Sequence, residues 1–323
     1  ENKGIIISRS SFADLRPPFV VPKAALAHRI CVCIYHENAN LILKAIDKFV
    51  KGNVCSSLQQ FTWALVCNTV NQECMFLACP LCESNFQEKV IDNVVSGATR
   101  IKWWQWVNIN GRAEKKEFEG SVDKGVELLK SKVKYFLFHV YIKREQSKYF
   151  EQLKSEVTDE KVVIQVDFAE NFGLKEQDEI QSAHWNTNTL SIFTAYVWSK
   201  SQGFPFTLPS NDVSHDKFVV NSAIEIILNK LKTHVRNLIQ IDFFSDGAVT
   251  QFEQRFMFRN LIQIAHEYKI ALSWNFFATS HEKGVVDGLG GTVKRFVWSA
   301  ALAGDNFKSA KDFVSYRNRK QRR

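Results

Sequence analysis

Three aspartates stand where the chain changes character, and together they suggest metal chemistry. Asp167 closes the apolar run Val162-Val163-Ile164-Gln165-Val166, and Asp246 follows Leu238-Ile239-Gln240-Ile241-Asp242-Phe243-Phe244-Ser245. Asp287 opens a helix-like stretch after Ser280-His281-Glu282-Lys283-Gly284-Val285-Val286. Hard cations such as Mg²⁺ or Mn²⁺ take carboxylate oxygens and keep several waters. Two such ions about 4 Å apart can activate one oxygen of a phosphodiester exchange and stabilise the other. On this reading Asp167 bridges both ions, Asp246 binds one and Asp287 the other. Each acid also has a plainer role open to it. Asp167 could pair with a lysine, Asp246-Gly247 could be a turn, and Asp287 could be a favourable charge at a helix N-terminus. Asp242 and Glu282 rank below the trio, and Glu170 reads as a solvated loop residue.

These acids need a scaffold, and the pattern from Lys161 onward supplies one. Lys161 to Phe168 reads as a central strand, apolar on both faces as in a covered sheet. Leu190 to Trp198 reads as a second strand, and Phe204 to Val213 as a third that Pro205 and Pro209 weaken. Asp216 caps an expected helix to about His234. A strand at 238–244, a helix at 251–268, a strand at 270–277 and a helix at 286–303 follow. Three strands, then helix, strand, helix, strand, helix is the order of an α/β, RNase H-like mixed five-stranded sheet flanked by helices. Earlier in the chain the periodicity predicts a helix over 40–51, a strand over 101–107 and a helix over 121–133. A short apolar run at 136–142 and a helix at 147–155 come next. Trp103, Trp104 and Trp106 on the 101–107 strand fit core packing better than base stacking.

The segment Gly284-Val285-Val286-Asp287-Gly288-Leu289-Gly290-Gly291-Thr292-Val293-Lys294-Arg295 resembles the helix of retroviral integrases and DDE/DDD transposases that carries the last catalytic acid. Asp287 stands where integrases have Glu, as in the DDD variants, and 40 residues separate it from Asp246. The resemblance covers about Lys161 to Leu302. The chain is also similar to animal proteins that share the phrases Val166-Asp167-Phe168-Ala169-Glu170-Asn171, Phe244-Ser245-Asp246-Gly247 and Gly290-Gly291-Thr292-Val293-Lys294-Arg295, which we infer to be transposon-encoded or transposon-derived. The resemblance implies DNA strand cleavage and transfer with two Mg²⁺ or Mn²⁺ ions and a catalytic trio of Asp167, Asp246 and Asp287. Its partners would be duplex DNA and transposon ends, and its location nuclear, with room for a homo-oligomer. His281, Lys283, Lys294 and Arg295 flank the last acid, where basic groups can hold a phosphate backbone. Two alternatives stay open: a domesticated, inactive relic that binds DNA or protein, and an RNase H-like nuclease.

All seven cysteines lie between Cys31 and Cys82. An odd number confined to one region and accompanied by a histidine points to metal ligation rather than a secreted disulfide framework. Cys33-x₂-His36 and Cys79-x₂-Cys82 are the expected ligands of a structural Zn²⁺, with Cys31 and Cys74 as alternates. Cys55 and Cys67 read as buried free thiols.

The implied organisation is an irregular segment 1–25, a Cys/His-rich α+β domain 26–160, a catalytic domain 161–305 and a basic tail 306–323. The formal net charge is +8, and residues 307–323 hold seven Lys/Arg against one Asp. That tail is expected to be a solvated end, a phosphate contact or a nuclear import signal. No stretch approaches 18 uncharged apolar residues, so no membrane span is expected.

Overall fold

The computed structural model describes residues 33–174, 188–278 and 284–321. Its first helix, α1 (Ile34–Ile46), buries Ala39, Ile42, Leu43 and Ile46 as one stripe. It starts before residue 40, where the periodicity predicts its beginning, and Asn38 lies inside it. The Asn38 side chain accepts from the Trp106 N–H at 2.8 Å and donates to its carbonyl at 3.0 Å, which satisfies a buried polar group inside the helix. Three short helices follow, α2 (Leu58–Leu65), α3 (Gln72–Met75) and α4 (Asn85–Lys89). Ser57 caps α2 and Asn71 caps α3.

Strands β1 (Arg100–Ile109) and β2 (Arg112–Ser121) form an antiparallel hairpin. Asn110 and Gly111 make its two-residue turn with φ of 50° and 82°, the left-handed pair that suits strand twist. Trp103 is buried and stacked near Phe118, whereas Trp104 is exposed.

The hairpin runs directly into α5 (Val122–Ser155), a helix of 34 residues and so about 51 Å long. The sequence reading splits this span into two helices and an apolar run. No Gly or Pro interrupts Val126–Ser155, so nothing breaks the helix, and the apolar run winds around it, with Phe136 and Leu137 buried and Phe138 exposed. Its first half packs in an N-terminal core with Phe61, Leu65, Met75 and Trp103. Its last turns carry Phe150 and Leu153 onto a second core with Val163, Phe244 and Phe277.

That second core belongs to a five-stranded mixed sheet of β3 (Lys161–Gly173), β4 (Thr189–Trp198), β5 (Gly203–Ser210), β6 (Gln240–Ser245) and β7 (Ala271–Phe276). The strand order is β5-β4-β3-β6-β7. The first three strands are antiparallel neighbours, and β6 and β7 run parallel to β3. Helices α6 (Lys217–Lys232) and α7 (Arg255–Tyr268) cover one face, where Val162, Ile164, Val166, Ile241 and Phe243 are buried. The opposite face takes α8 (Val285–Leu302), α9 (Ala310–Gln321) and the end of α5. This is a mixed α/β architecture with a helix-covered five-stranded sheet. Part of the basic tail is also structural, because Phe313 and Tyr316 are buried beside Phe307.

Candidate functional site

Strand alternation decides which face the acids occupy. Val162, Ile164 and Val166 pack under α6 and α7, so Val163, Gln165 and Asp167 point to the other face. In β6, Ile241 and Phe243 join the first face, and Asp242 and Phe244 the second. Asp246 continues that alternation one residue past the strand. Parallel pairing sets Gln165 opposite Phe244, so Asp167 and Asp246 fall level with each other two residues further on. Residues 79 apart are thus brought to one region of the sheet, Asp167 from the middle of β3 and Asp246 from just past the end of β6.

Helix α8 crosses the same face close to Asp167. A Cβ built on Gly284 would lie 3.0 Å from the Gln165 side chain, and one on Gly290 would lie 2.8 Å from the Ala169 Cβ. The helix therefore touches β3 on both sides of Asp167, and Asp287 sits midway between the two contacts. Asp287 is exposed and its Oδ2 accepts from the Gly284 N–H at 2.9 Å, a capping interaction at the third helical position.

The carboxylates differ in surroundings. Asp167 Oδ1 accepts from the Phe168 N–H at 2.7 Å, and the Thr194 hydroxyl donates to the Asp167 carbonyl at 3.0 Å. Burial pushes the Asp246 carboxyl above its usual range, and the Ala248 N–H, at 3.3 Å, only partly opposes this. Asp242 serves the fold. It is 2% exposed, accepts from the Ser273 hydroxyl at 2.6 Å and lies 3.5 Å from the Lys161 ammonium.

The trio is open rather than tight. Among the described residues, two sets of three or more ligand groups have all their atoms within 4.8 Å, and the three carboxylates are neither. Lys294 lies on α8 near Glu170, and burial holds its ammonium below the usual lysine range against that carboxylate's pull. Arg295 is exposed and its guanidinium donates to the Thr292 hydroxyl at 3.3 Å. His281, Glu282 and Lys283 lie outside the described residues.

The Cys/His ligands group differently from the expected Cys33, His36, Cys79 and Cys82 set. Cys67, Cys74, Cys79 and Cys82 converge, while Cys33 and His36 meet His139 instead. Cys31 lies outside the described residues. The expected pairing fails because α1 delivers Cys33 and His36 to α5, not to the loop that holds the four cysteines. From Cys67 the sulfurs of Cys74, Cys79 and Cys82 are 3.4, 3.9 and 3.5 Å away. The edge of a tetrahedral zinc–thiolate site is about 3.8 Å, from Zn–S bonds near 2.3 Å. The described cysteines are free thiols, so these separations are not disulfides.

The four thiols are linked by hydrogen bonds. Hydrogen bonds to Cys74 and then Cys82 push the Cys67 thiol up to about 12. At Cys79 burial acts upward, but the Leu81 N–H and the neighbouring thiols outweigh it and hold that thiol below its ordinary value. A bound metal would deprotonate such ligands outright. The cluster can hold a metal such as zinc. Sequence reasoning misjudged Cys67, although Cys67-x₆-Cys74-x₄-Cys79-x₂-Cys82 was there to be read. It missed His139 because a histidine inside Phe136–Ile142 looks like part of an apolar run.

No helix among the described residues is long and apolar enough to cross a membrane. No curated protein matches the chain. A family model described as a domain of unknown function (DUF8701) matches residues 146–323, a span that starts in α5 and includes the sheet, all three acids and α9. That span is more than half of the chain, which therefore belongs to the DUF8701 family.

Proposed function

We propose that the DUF8701 region is an RNase H-like polynucleotidyl transferase of the transposase class, with Asp167, Asp246 and Asp287 as its acidic trio. One observation carries this reading. The β3–β6 register, carried two residues past its last pair Gln165–Phe244, sets Asp167 level with Asp246, and the helix bearing Asp287 is packed onto that face at Gly290. The donor set is all carboxylate, which suits Mg²⁺ or Mn²⁺. Asp246 also fits a cation, since its carboxylate is partly desolvated and no ion pair to it occurs among the described residues. Bound between these acids, a pair of divalent ions would activate an attacking oxygen and stabilise the leaving one.

The residues around the trio support the same reading. The close contact at Gly290 limits how far α8, the helix that carries Asp287, can drift from β3. Lys294 and Arg295, on the helix that carries Asp287, supply positive charge for a DNA backbone. Zinc on the four cysteines would order the short helices α2 to α4, each too short to persist alone. DNA as partner, action in the nucleus and self-association at paired DNA ends belong to this proposal.

A second reading draws on Asp287, whose carboxylate already caps its own helix. In that reading the chain is a domesticated relic that binds DNA or protein without cutting. Asp167→Asn tests both. It should abolish Mg²⁺-dependent nicking of duplex DNA while leaving circular dichroism and DNA binding intact. Undiminished cleavage by the variant would sink the catalytic assignment, and no cleavage by the wild type would favour the relic. A preference for RNA–DNA hybrid over duplex DNA would instead point to a nuclease.

A further inference from the structure

We infer that Cys33, His36 and His139 form a second zinc site, separate from the four-cysteine cluster, which ties the start of α1 to the middle of α5. Cys33 precedes α1 with extended backbone and is 4% exposed, and its sulfur makes no capping hydrogen bond. His36 lies one turn on, at the third helical position, so the two side chains leave α1 on the same side. His139 comes from α5 and is 8% exposed.

The three ligand atoms lie within 4.8 Å of one another, and Cys33 Sγ is 3.0 Å from His139 Nε2. A tetrahedral zinc with one thiolate and two imidazoles needs S–N and N–N edges of about 3.5 and 3.3 Å. Small rotations of the rings, which sit 5.4 Å apart at 70°, meet that requirement. One thiolate with two imidazoles is a borderline-soft set, which selects zinc over Mg²⁺ or Ca²⁺. Three protein ligands leave the fourth position to water or to another group.

The surrounding fold gives the site a purpose. The four-cysteine loop docks on α5 through Phe76, whose ring lies 4.7 Å from Phe138 and 5.3 Å from Tyr141, and through Arg144, which donates to the Thr69 carbonyl. His139 lies within that same stretch of α5 and carries the second site. Two zinc ions would thus secure α5 to α1 and to the cysteine loop, in a region whose helices α2 to α4 have only 8, 4 and 5 residues. Small units of this kind commonly rely on structural metals.

Zinc content of the full chain, purified without chelator and measured by native mass spectrometry, tests the inference. The wild type should carry two zinc ions, and both Cys79→Ser/Cys82→Ser and His36→Gln/His139→Gln should carry one. If the buried His139 variant fails to fold by circular dichroism, the half-buried His36→Gln alone should still lower the content to one. Cobalt substitution gives a second readout. The Cys79→Ser/Cys82→Ser protein should keep a sulfur-to-cobalt absorption band that an added Cys33→Ser removes. A folded His36→Gln protein with wild-type zinc content would overturn the second site. If instead the wild type carries one zinc that His36→Gln removes and Cys79→Ser/Cys82→Ser retains, the second site stands and the four-cysteine site fails.

Discussion

Two glycines of α8, two residues apart, should respond to alanine with opposite signs. A Cβ at Gly288 would meet nothing within 4 Å, whereas one at Gly290 would meet Ala169 Cβ at 2.8 Å, Thr194 Cγ2 at 3.7 Å and Ala169 Cα at 3.9 Å. Carbon atoms pack at about 3.5–4.0 Å, so helix and strand must separate by about 1 Å to admit the new methyl. Ala169 Cβ is fixed to the β3 backbone and cannot rotate away. Both substitutions gain the same helix propensity, about 0.8–1.0 kcal/mol. Overpacking a close contact costs about 1–3 kcal/mol. Gly288→Ala should therefore stabilise by about 1 kcal/mol, and Gly290→Ala should fall below it by about 1–3 kcal/mol. Urea unfolding with matched m-values measures the difference. Adding Ala169→Gly to Gly290→Ala should recover part of the loss, with a coupling of about 1–2 kcal/mol. Because α8 carries Asp287, a displacement of about 1 Å should also slow Mg²⁺-dependent nicking on the order of 100-fold. A Gly290→Ala protein as stabilised as Gly288→Ala would refute the close docking of α8 on β3.

Three further outcomes are expected. Burial raises the folded carboxyl of Asp246, so its contribution to stability is full below the unfolded carboxylate range and is lost as pH rises through the folded value. At pH 7 without metal, Asp246→Asn should therefore melt above the wild type, and added Mg²⁺ should raise the melting temperature of the wild type only. Asp242→Ala should destabilise by roughly 1–3 kcal/mol, because it removes the buried acceptor of the Ser273 hydroxyl and leaves Lys161 with Glu156 as its one remaining acidic partner among the described residues; a loss below about 0.5 kcal/mol in urea titration would contradict that role. Acid should release zinc from the four-cysteine site as its thiolates protonate, and a chelator at pH 7 should lower helicity; Cys79→Ser should mimic the chelator by circular dichroism.

The sheet was the easiest part to read from the residues. Val162 to Val166 are apolar on both faces, which only a covered central strand explains, and the element order after Lys161 is as the periodicity predicts. The level placement of Asp167 and Asp246 was not legible, since it depends on a parallel register that no local pattern records. Strand β2 escaped notice because Arg112-Ala113-Glu114-Lys115-Lys116-Glu117 is charged and exposed, although the preceding Asn110-Gly111 is a strong hairpin signal. The Cys33–His139 contact spans 106 residues, so spacing within the cysteine region could not find it. His36 and Cys79 looked like members of one site because both occur in two-residue-spaced pairs, and only the path of α1 separates them.

Helix α5 serves two cores with a single uninterrupted rod, and this makes its length a matter of phase. Inserting one residue between Phe136 and Phe150 would turn one end by about 100° against the other and swing Phe150 and Leu153 off the sheet. Seven inserted residues would lengthen the rod by about 10.5 Å but return its facing to within about 20°. Related chains that vary the spacing between the cysteine region and the sheet should therefore do so in steps of about seven residues. The DUF8701 match starts at residue 146, just before the turn that carries Phe150 and Leu153. Gene fusions that exchange the N-terminal module would thus keep the sheet covered only when they join helix to helix in step.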